Sequence, residues 1–281
     1  MRLQKLVLLI TIISLISGCQ QLQNLQNPTQ DELQQQPYTY VRHQTPHLAG
    51  GSEYAHRIPQ PLSLSDLHRK YKSNFILSGS PQKREIALTF DDAPDTHFTP
   101  QVLDQLKKMN VKATFFIVGN RAEKHPEMIA RIVREGHAIG NHSYNHPNFN
   151  KLNDTAFREQ IQKTDQILQR LIGYKPVIVR PPYGNITEGQ IKWLISQKKK
   201  IVNWNVDSLD WKNLTAEQVM TNILADIRPG SIILQHSAGG KGEDLSGTVQ
   251  AIPKVIQKLR ADGVRFVTIP ELLEIDNRSP N

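Results

Sequence analysis

From Glu85 onward the chain alternates two patterns. Short runs of apolar and β-branched residues read as buried strands. Longer stretches with apolar residues every three or four positions read as amphipathic helices. Strands are predicted over residues 86–90, 113–118, 137–140, 177–180, 201–204, 231–235 and 265–268. Helices are predicted between them, over 100–109, 126–135, 154–172, 187–197, 215–227 and 248–262. Pro100 and Pro126 suit the first helical turn, where a missing N–H costs little. Gly136 and Gly263 follow their helices as C-terminal caps. This regular alternation predicts parallel βαβ units. It fits either a doubly wound sheet or a barrel.

Upstream of Glu85 the pattern is different. Arg2 and Lys5 open the chain, and residues 6–16 are almost wholly apolar. A run of eleven residues is short for a membrane span and suits the apolar core of a secretory signal. The segment ends Leu15-Ile16-Ser17-Gly18-Cys19, which resembles a bacterial lipoprotein signal cleaved before a lipidated cysteine. Cys19 is the sole cysteine, so no internal disulfide can form. Residues 20–36 hold eight glutamines and too little apolar surface to order themselves. Residues 37–83 stay polar and proline-marked, with one short helix predicted over 66–72. The expected organisation is a signal at 1–18, a flexible tether at 19–60, an irregular extension at 61–84 and an α/β domain at 85–276.

Polar residues cluster where the strands end. Asp91-Asp92 follows the first predicted strand, His142 and His146 the third, and Arg180-Pro181-Pro182-Tyr183-Gly184 the fourth. Residues 207–211 follow the fifth, and His236 ends the sixth. Clusters at five strand ends favour the barrel, where such ends converge on one face. Adjacent strand residues point in opposite directions unless the chain turns. The two aspartates can therefore divide their work, one on a metal and one toward a substrate. The i, i+4 spacing of His142 and His146 puts both imidazoles on one side of a helical turn. Two histidines and a carboxylate leave a coordination position open, as catalytic zinc sites require. The two prolines after Arg180 carry no N–H, which leaves the N–H of Tyr183 as a rigid oxyanion donor. His236 can serve as a general acid, oriented and charge-stabilised by Asp210.

Together and in this order, five segments resemble the polysaccharide deacetylases that carry the NodB homology domain, carbohydrate esterase family 4. They are Thr89-Phe90-Asp91-Asp92, His142-Ser143-Tyr144-Asn145-His146, Arg180-Pro181-Pro182-Tyr183-Gly184, Asp207-Ser208-Leu209-Asp210-Trp211 and Leu234-Gln235-His236. The likeness spans about residues 85–275. It implies an α/β fold, a distorted (β/α)7-8 barrel, with the catalytic domain at 85–276. It implies a divalent metal on Asp92, His142 and His146, zinc foremost with cobalt or other divalent ions as alternatives. It makes Asp91 the general base positioned by Arg180, the Tyr183 N–H an oxyanion donor and His236 an acid tuned by Asp210. Trp211 and Leu234 would line the acetyl pocket. One departure is Ala93, where the family has glycine. Alanine tolerates a positive φ less well, so the loop is expected to differ slightly there.

Net charge is +8, which suits anionic wall polymers, anionic lipid or nucleic acid. No finger spacing, RNA-binding signature or P-loop supports nucleic acid. The run Lys198-Lys199-Lys200 reads as a solvated helix end. The expected setting is the bacterial cell envelope, with membrane attachment through the N-terminal lipid and no protein partner. The leading substrate is peptidoglycan, at N-acetylglucosamine or N-acetylmuramic acid. Chitin oligomers and exopolysaccharide are alternatives. Two rival readings are a non-catalytic wall-binding lipoprotein, which should have lost a ligand or the base, and a hydrolase of non-sugar amides.

Overall fold

The structure is a computed structural model, and it describes residues 64–240 and 242–278. The signal at 1–18, Cys19 and the tether at 19–60 lie outside the described residues. Helix α1 (Leu64–Lys70) and strand β1 (Phe75–Ile76) precede the alternating part. There follow β2 (Glu85–Ala93), α2 (Phe98–Lys108), β3 (Thr114–Ile117), α3 (Gly119–Lys124), α4 (Pro126–Arg134), β4 (Ala138–Asn141) and α5 (Asp154–Ile172). The chain continues with β5 (Ile178–Val179), α6 (Glu188–Ser196), β6 (Lys200–Val202), β7 (Val206–Asp207), α7 (Ala216–Asp226) and β8 (Ile232–His236). It closes with α8 (Ser246–Ala261), β9 (Arg265–Phe266) and α9 (Ile269–Leu273). Among the described residues no helix is long and apolar enough to cross a membrane.

Local chemistry sets the boundaries. Thr187, Thr215 and Thr268 each accept a backbone N–H three residues on, and Gln190, Gln218 and Glu271 reach back to complete capping boxes. Asn153 caps α5, and Gly173 ends it at φ 84°. Gly136 and Gly263 also take positive φ, as expected of caps.

All strand pairs are parallel, in the order β1-β6-β5-β4-β3-β2-β8-β7, with β9 also on β2. The sheet curls. Ser78, just past β1, forms an antiparallel bridge to Ser231, just before β8. Gly79 N donates to Gly230 O at 2.8 Å beside it. The result is the incompletely closed, distorted α/β barrel expected. Over its described residues, 64–84, the extension is more ordered than the sequence pattern suggested. Helix α1 buries Leu67, β1 buries Phe75, and β1 pairs with β6 as a strand of the main sheet. Two-residue strands carry too little alternation to be read from sequence, which also hid β7.

Alternation along β2 builds the interior. Ile86, Leu88 and Phe90 pack with Val102, Leu103 and Leu106 of α2 and Val255 and Ile256 of α8. Ala87 faces the other way, against Phe116, Ile178, Val202 and Ile232. Thr89 and Asp91 share that inward side by the two-residue period. The barrel therefore has an apolar floor and becomes polar toward the C-terminal ends of its strands.

Candidate active site

Asp91 and Asp92 sit within the last residues of β2. The pairing of β2 with β3 shifts register between Phe90 and Ala93, and Asp92 takes φ 66°. A bulge of this kind re-aims side chains, so the chain does turn where strict alternation would separate the carboxylates. Asp91 Oδ2 lies 3.5 Å from His142 Nε2, and Asp92 Oδ1 lies 3.7 Å from the same nitrogen. The left-handed position is Asp92, and Ala93 is not among the positive-φ residues. The expected penalty at Ala93 does not arise.

His142 and His146 come together by a different route from the one their spacing suggested. The segment is a loop, not a helical turn, and Ser143 and His146 both take positive φ, 68° and 61°. Asn141 Oδ1 accepts the Ser143 N–H at 2.9 Å, and Ser143 Oγ accepts the His146 N–H at 2.9 Å. The start of α3 supports the loop from outside, with Gly119 N on Ser143 O at 2.9 Å and Asn120 N on Tyr144 O at 2.8 Å. A Cβ on Gly119 would stand 2.6 Å from Thr164 Oγ1.

One ligand atom each from Asp92, His142 and His146 lies within 4.8 Å of the others. Asp92 Oδ1 is 3.3 Å from His146 Nε2, yet this buried oxygen has no hydrogen-bond partner. His142 Nδ1 is 2.7 Å from the carbonyl oxygen of Arg180. A carbonyl only accepts, so Nδ1 carries a proton, and Nε2 is the ring nitrogen that faces the cluster. Burial would raise the Asp92 carboxyl, but His146, His142, His236 and Arg121 hold it at about 2. Burial lowers His146 to about 4 despite the nearby Asp92. An ionised carboxylate with an unpaired oxygen, grouped with the ring nitrogens of two histidines, fits a divalent cation.

Arg180 is fully buried beneath this cluster. Its Nη1 donates to Asp91 Oδ1 and to Thr89 Oγ1, both at 2.7 Å. Its Nε donates to Val202 O at 2.9 Å and its Nη2 to Asn203 O at 3.2 Å. The guanidinium also lies 4.1 Å from the centre of the Phe116 ring. Asp91 thus has one oxygen fixed and the other turned toward the metal-type cluster. Tyr183 takes φ 59° in a short 3₁₀ turn, and its ring centre is 4.8 Å from that of His146, edge-on.

His236 is in register with Asp91 across β8 and β2. Its Nδ1 is 2.8 Å from Asp210 Oδ1, and its backbone N–H donates to Asp210 Oδ2 at 2.8 Å. Thr248 Oγ1 donates to the same Oδ2 at 2.8 Å. Burial would lower the His236 pKa, but the charge and hydrogen bond of Asp210 carry it well above 6.5, with Asp92 and Asp91 adding to the rise. Trp211 and Leu234 are buried nearby, and the indole N–H of Trp211 has no hydrogen-bond partner.

The site residues Asp91, Asp92, His142, His146, Arg180, Tyr183, Asp210, Trp211, Leu234 and His236 therefore lie on or against the C-terminal rim. Two supports were missed. Arg121 on α3 donates to Asp92 O at 2.8 Å and to Gly239 O at 2.9 Å, tying the carboxylate turn to the loop after β8. Thr248 opens the buried face of α8 onto Asp210. A six-residue α3 offers no periodicity to read, and a lone threonine in a helix carries no signal.

A parallel α/β barrel with a carboxylate–dihistidine cluster flanked by a fixed aspartate and a charged histidine has the parts of a metal-assisted hydrolase. Known proteins narrow that class. The polysaccharide deacetylase family model matches residues 78–199. A peptidoglycan-N-acetylglucosamine deacetylase of Bacillus cereus is 51% identical over 203 residues, 72% of this chain and 73% of that protein. The peptidoglycan-N-acetylmuramic acid deacetylase PdaC of Bacillus subtilis is 37% identical over 196 residues, 69% of this chain but 40% of that longer protein. The crystal structure of the Bc1960 peptidoglycan N-acetylglucosamine deacetylase, in complex with a naphthyl N-hydroxybenzamide, aligns with a TM-score of 0.73 and 48% identity, covering 75% of this chain and 98% of that one. The chain belongs to the polysaccharide deacetylase family, carbohydrate esterase family 4.

Proposed function

We propose that this chain hydrolyses N-acetyl groups on the amino sugars of peptidoglycan, with N-acetylglucosamine the leading unit. The observation that carries the reading is the complete set at one rim. A base candidate, a metal-type cluster and an acid candidate stand together, with no member replaced. The relatives support a peptidoglycan substrate: the B. cereus protein is named for N-acetylglucosamine and PdaC for N-acetylmuramic acid.

Asp92, His142 and His146 would hold the cation, with zinc as our assignment. When bound, it supplies Lewis acidity, stabilising negative charge and making water easier to deprotonate. Asp91 accepts the proton of the attacking water on its free oxygen, while Arg180 keeps the other oxygen, and hence the carboxylate, in place. The backbone N–H of Tyr183 donates to the amide oxygen as negative charge builds on it. Asp210 accepts the Nδ1 proton of His236, which leaves Nε2 to protonate the departing amine. That proton is required because an amine is a poor leaving group without it. Trp211 and Leu234 supply an apolar wall for the acetyl methyl group. The products are acetate and a free amino sugar.

Acetate release from purified peptidoglycan, N-acetylated chitin oligomers and a simple acetamide tests the assignment. The highest kcat/KM is expected on peptidoglycan. Equal turnover of the acetamide would point to a general amidase, and faster turnover of chitin oligomers would move the substrate.

We further infer export and lipid attachment at Cys19. Support comes from the charged start, the apolar run at 6–16 and a single cysteine placed just after it. A mass measurement on protein purified from its native membrane should show loss of residues 1–18 and added acyl mass. An intact Met1 terminus would contradict this.

A further inference from the structure

The lysine run at 198–200 does not behave as a solvated helix end throughout. Lys199 is 4% exposed, and its ammonium lies 2.6 Å from Asp165 Oδ2, itself on a buried residue of α5. The same ammonium donates to Pro176 O at 2.6 Å. A buried ion pair is a poor way to gain stability, because desolvation offsets much of the attraction. Its geometry shows another use. The second oxygen of Asp165 accepts from Asn141 Nδ2 at 2.8 Å, and that amide nitrogen also donates to Ile161 O at 3.0 Å. With its NH2 group so engaged, Asn141 turns its Oδ1 to the N–H of Ser143. Ser143 in turn holds His146 through Oγ. The chain of contacts runs from Lys199 to His146, and His142 lies in the chain between Asn141 and Ser143.

We propose that the buried Lys199–Asp165 pair is a positioning device that fixes the amide orientation of Asn141 and thereby the loop presenting His142 and His146 to the metal. The inference rests on the reading of Asp92, His142 and His146 as metal ligands. The logic is one of donors and acceptors. An ammonium only donates and a carboxylate only accepts. Asp165 facing Lys199 can therefore offer Asn141 nothing but an acceptor, and the amide has one permitted orientation. The opposite flip would set the NH2 of Asn141 against the N–H of Ser143, two donors face to face. Ser143 sits at φ 68°, a conformation that non-glycine residues hold only when their surroundings fix it.

Asp165→Asn is the informative substitution because it keeps shape and changes only donor identity. The amide it introduces must turn its oxygen to Lys199, so its NH2 meets the NH2 of Asn141 and works against the hold that Ile161 O and the Ser143 N–H keep on that amide. Adding Lys199→Met removes that demand, and the introduced amide can turn its oxygen back to Asn141. The full chain is titrated with Co2+ against a chromogenic chelator, with the visible cobalt spectrum as a readout of ligand geometry and thermal unfolding as a control. Asp165→Asn should bind Co2+ about 10–100-fold more weakly, the range seen when support behind metal ligands is lost. The double variant Asp165→Asn/Lys199→Met should recover most of that loss. Wild-type affinity in Asp165→Asn, or no recovery in the double variant, would overturn the proposal and leave the pair a packing feature. If Asp165→Asn does not fold, Asn141→Ala carries the same test, and wild-type affinity there would overturn it equally. Failure of the wild-type chain to bind Co2+ would mean that the metal reading itself has failed.

Discussion

His146 on the β4 side of the rim and His236 on the β8 side are the same residue type in half-buried settings, yet the protein shifts them in opposite directions. His146 is lowered to about 4, chiefly by burial. His236 is raised well above 6.5 because Asp210 more than reverses the effect of burial. The difference lies in what each ring touches. Asp210 accepts the Nδ1 proton of His236 at 2.8 Å and is itself held by Thr248. Asp92 Oδ1 comes only to 3.3 Å of His146 and makes no hydrogen bond. A neutral imidazole offers a lone pair and an imidazolium offers a proton. The rim is thus divided into a half built to hold a cation and a half built to give a proton away. Asp91 stands between them, in register with His236 and 3.5 Å from His142.

This division can be broken one half at a time. The largest single-residue effect on the proton-donating half is expected from His236→Asn. Turnover should fall by about 10²–10⁴-fold, the usual worth of a positioned acid, while bound metal stays at the wild-type level. Steady-state acetate release alongside elemental analysis checks both parts, and loss of metal would show that the halves are not separate. Arg121→Ala removes the tie between Asp92 O and Gly239 O. It should weaken metal affinity by about 10–100-fold in a chelator competition, and an unchanged affinity would remove Arg121 from the site.

A finer probe is the pH profile. The pKa of His236 is raised in the folded protein, so its proton is present through neutral pH and lost on the alkaline side. Asp210→Asn removes the raising charge, so the alkaline limb of kcat/KM should move to lower pH while the acidic limb stays in place. An unmoved alkaline limb would mean that another group sets it. The smallest effect is expected from Thr248→Val, which removes one buried hydrogen bond to Asp210. It should cost about 1–3 kcal/mol of stability, read by denaturant unfolding, with the metal half untouched.

Much of this division was legible in the sequence. The apolar runs gave the strands, and polar clusters at their ends located Asp91, Asp92, His142, His146, Arg180, Tyr183, Asp210 and His236. What could not be read was backbone curvature and burial. The i, i+4 spacing of the two histidines suggested a helical turn, whereas left-handed residues at Ser143 and His146 do the work. The bulge that brings Asp91 and Asp92 to one side leaves no mark beyond the two residues themselves. Lys199 looked solvated because a run of three lysines says nothing about which one points inward. Short elements such as β1, β7 and α3 carry too few residues for a period to show, so the support given by Arg121 stayed hidden.

The central claim is that the two adjacent aspartates do different jobs, Asp92 holding the metal and Asp91 moving the proton. Metal content and acetate release, measured together on Asp91→Asn and Asp92→Ala, test it most directly. Asp91→Asn should keep its metal and lose nearly all turnover, whereas Asp92→Ala should lose the metal as well. Bound metal at the wild-type level in Asp92→Ala, or near-normal turnover in Asp91→Asn, would contradict it.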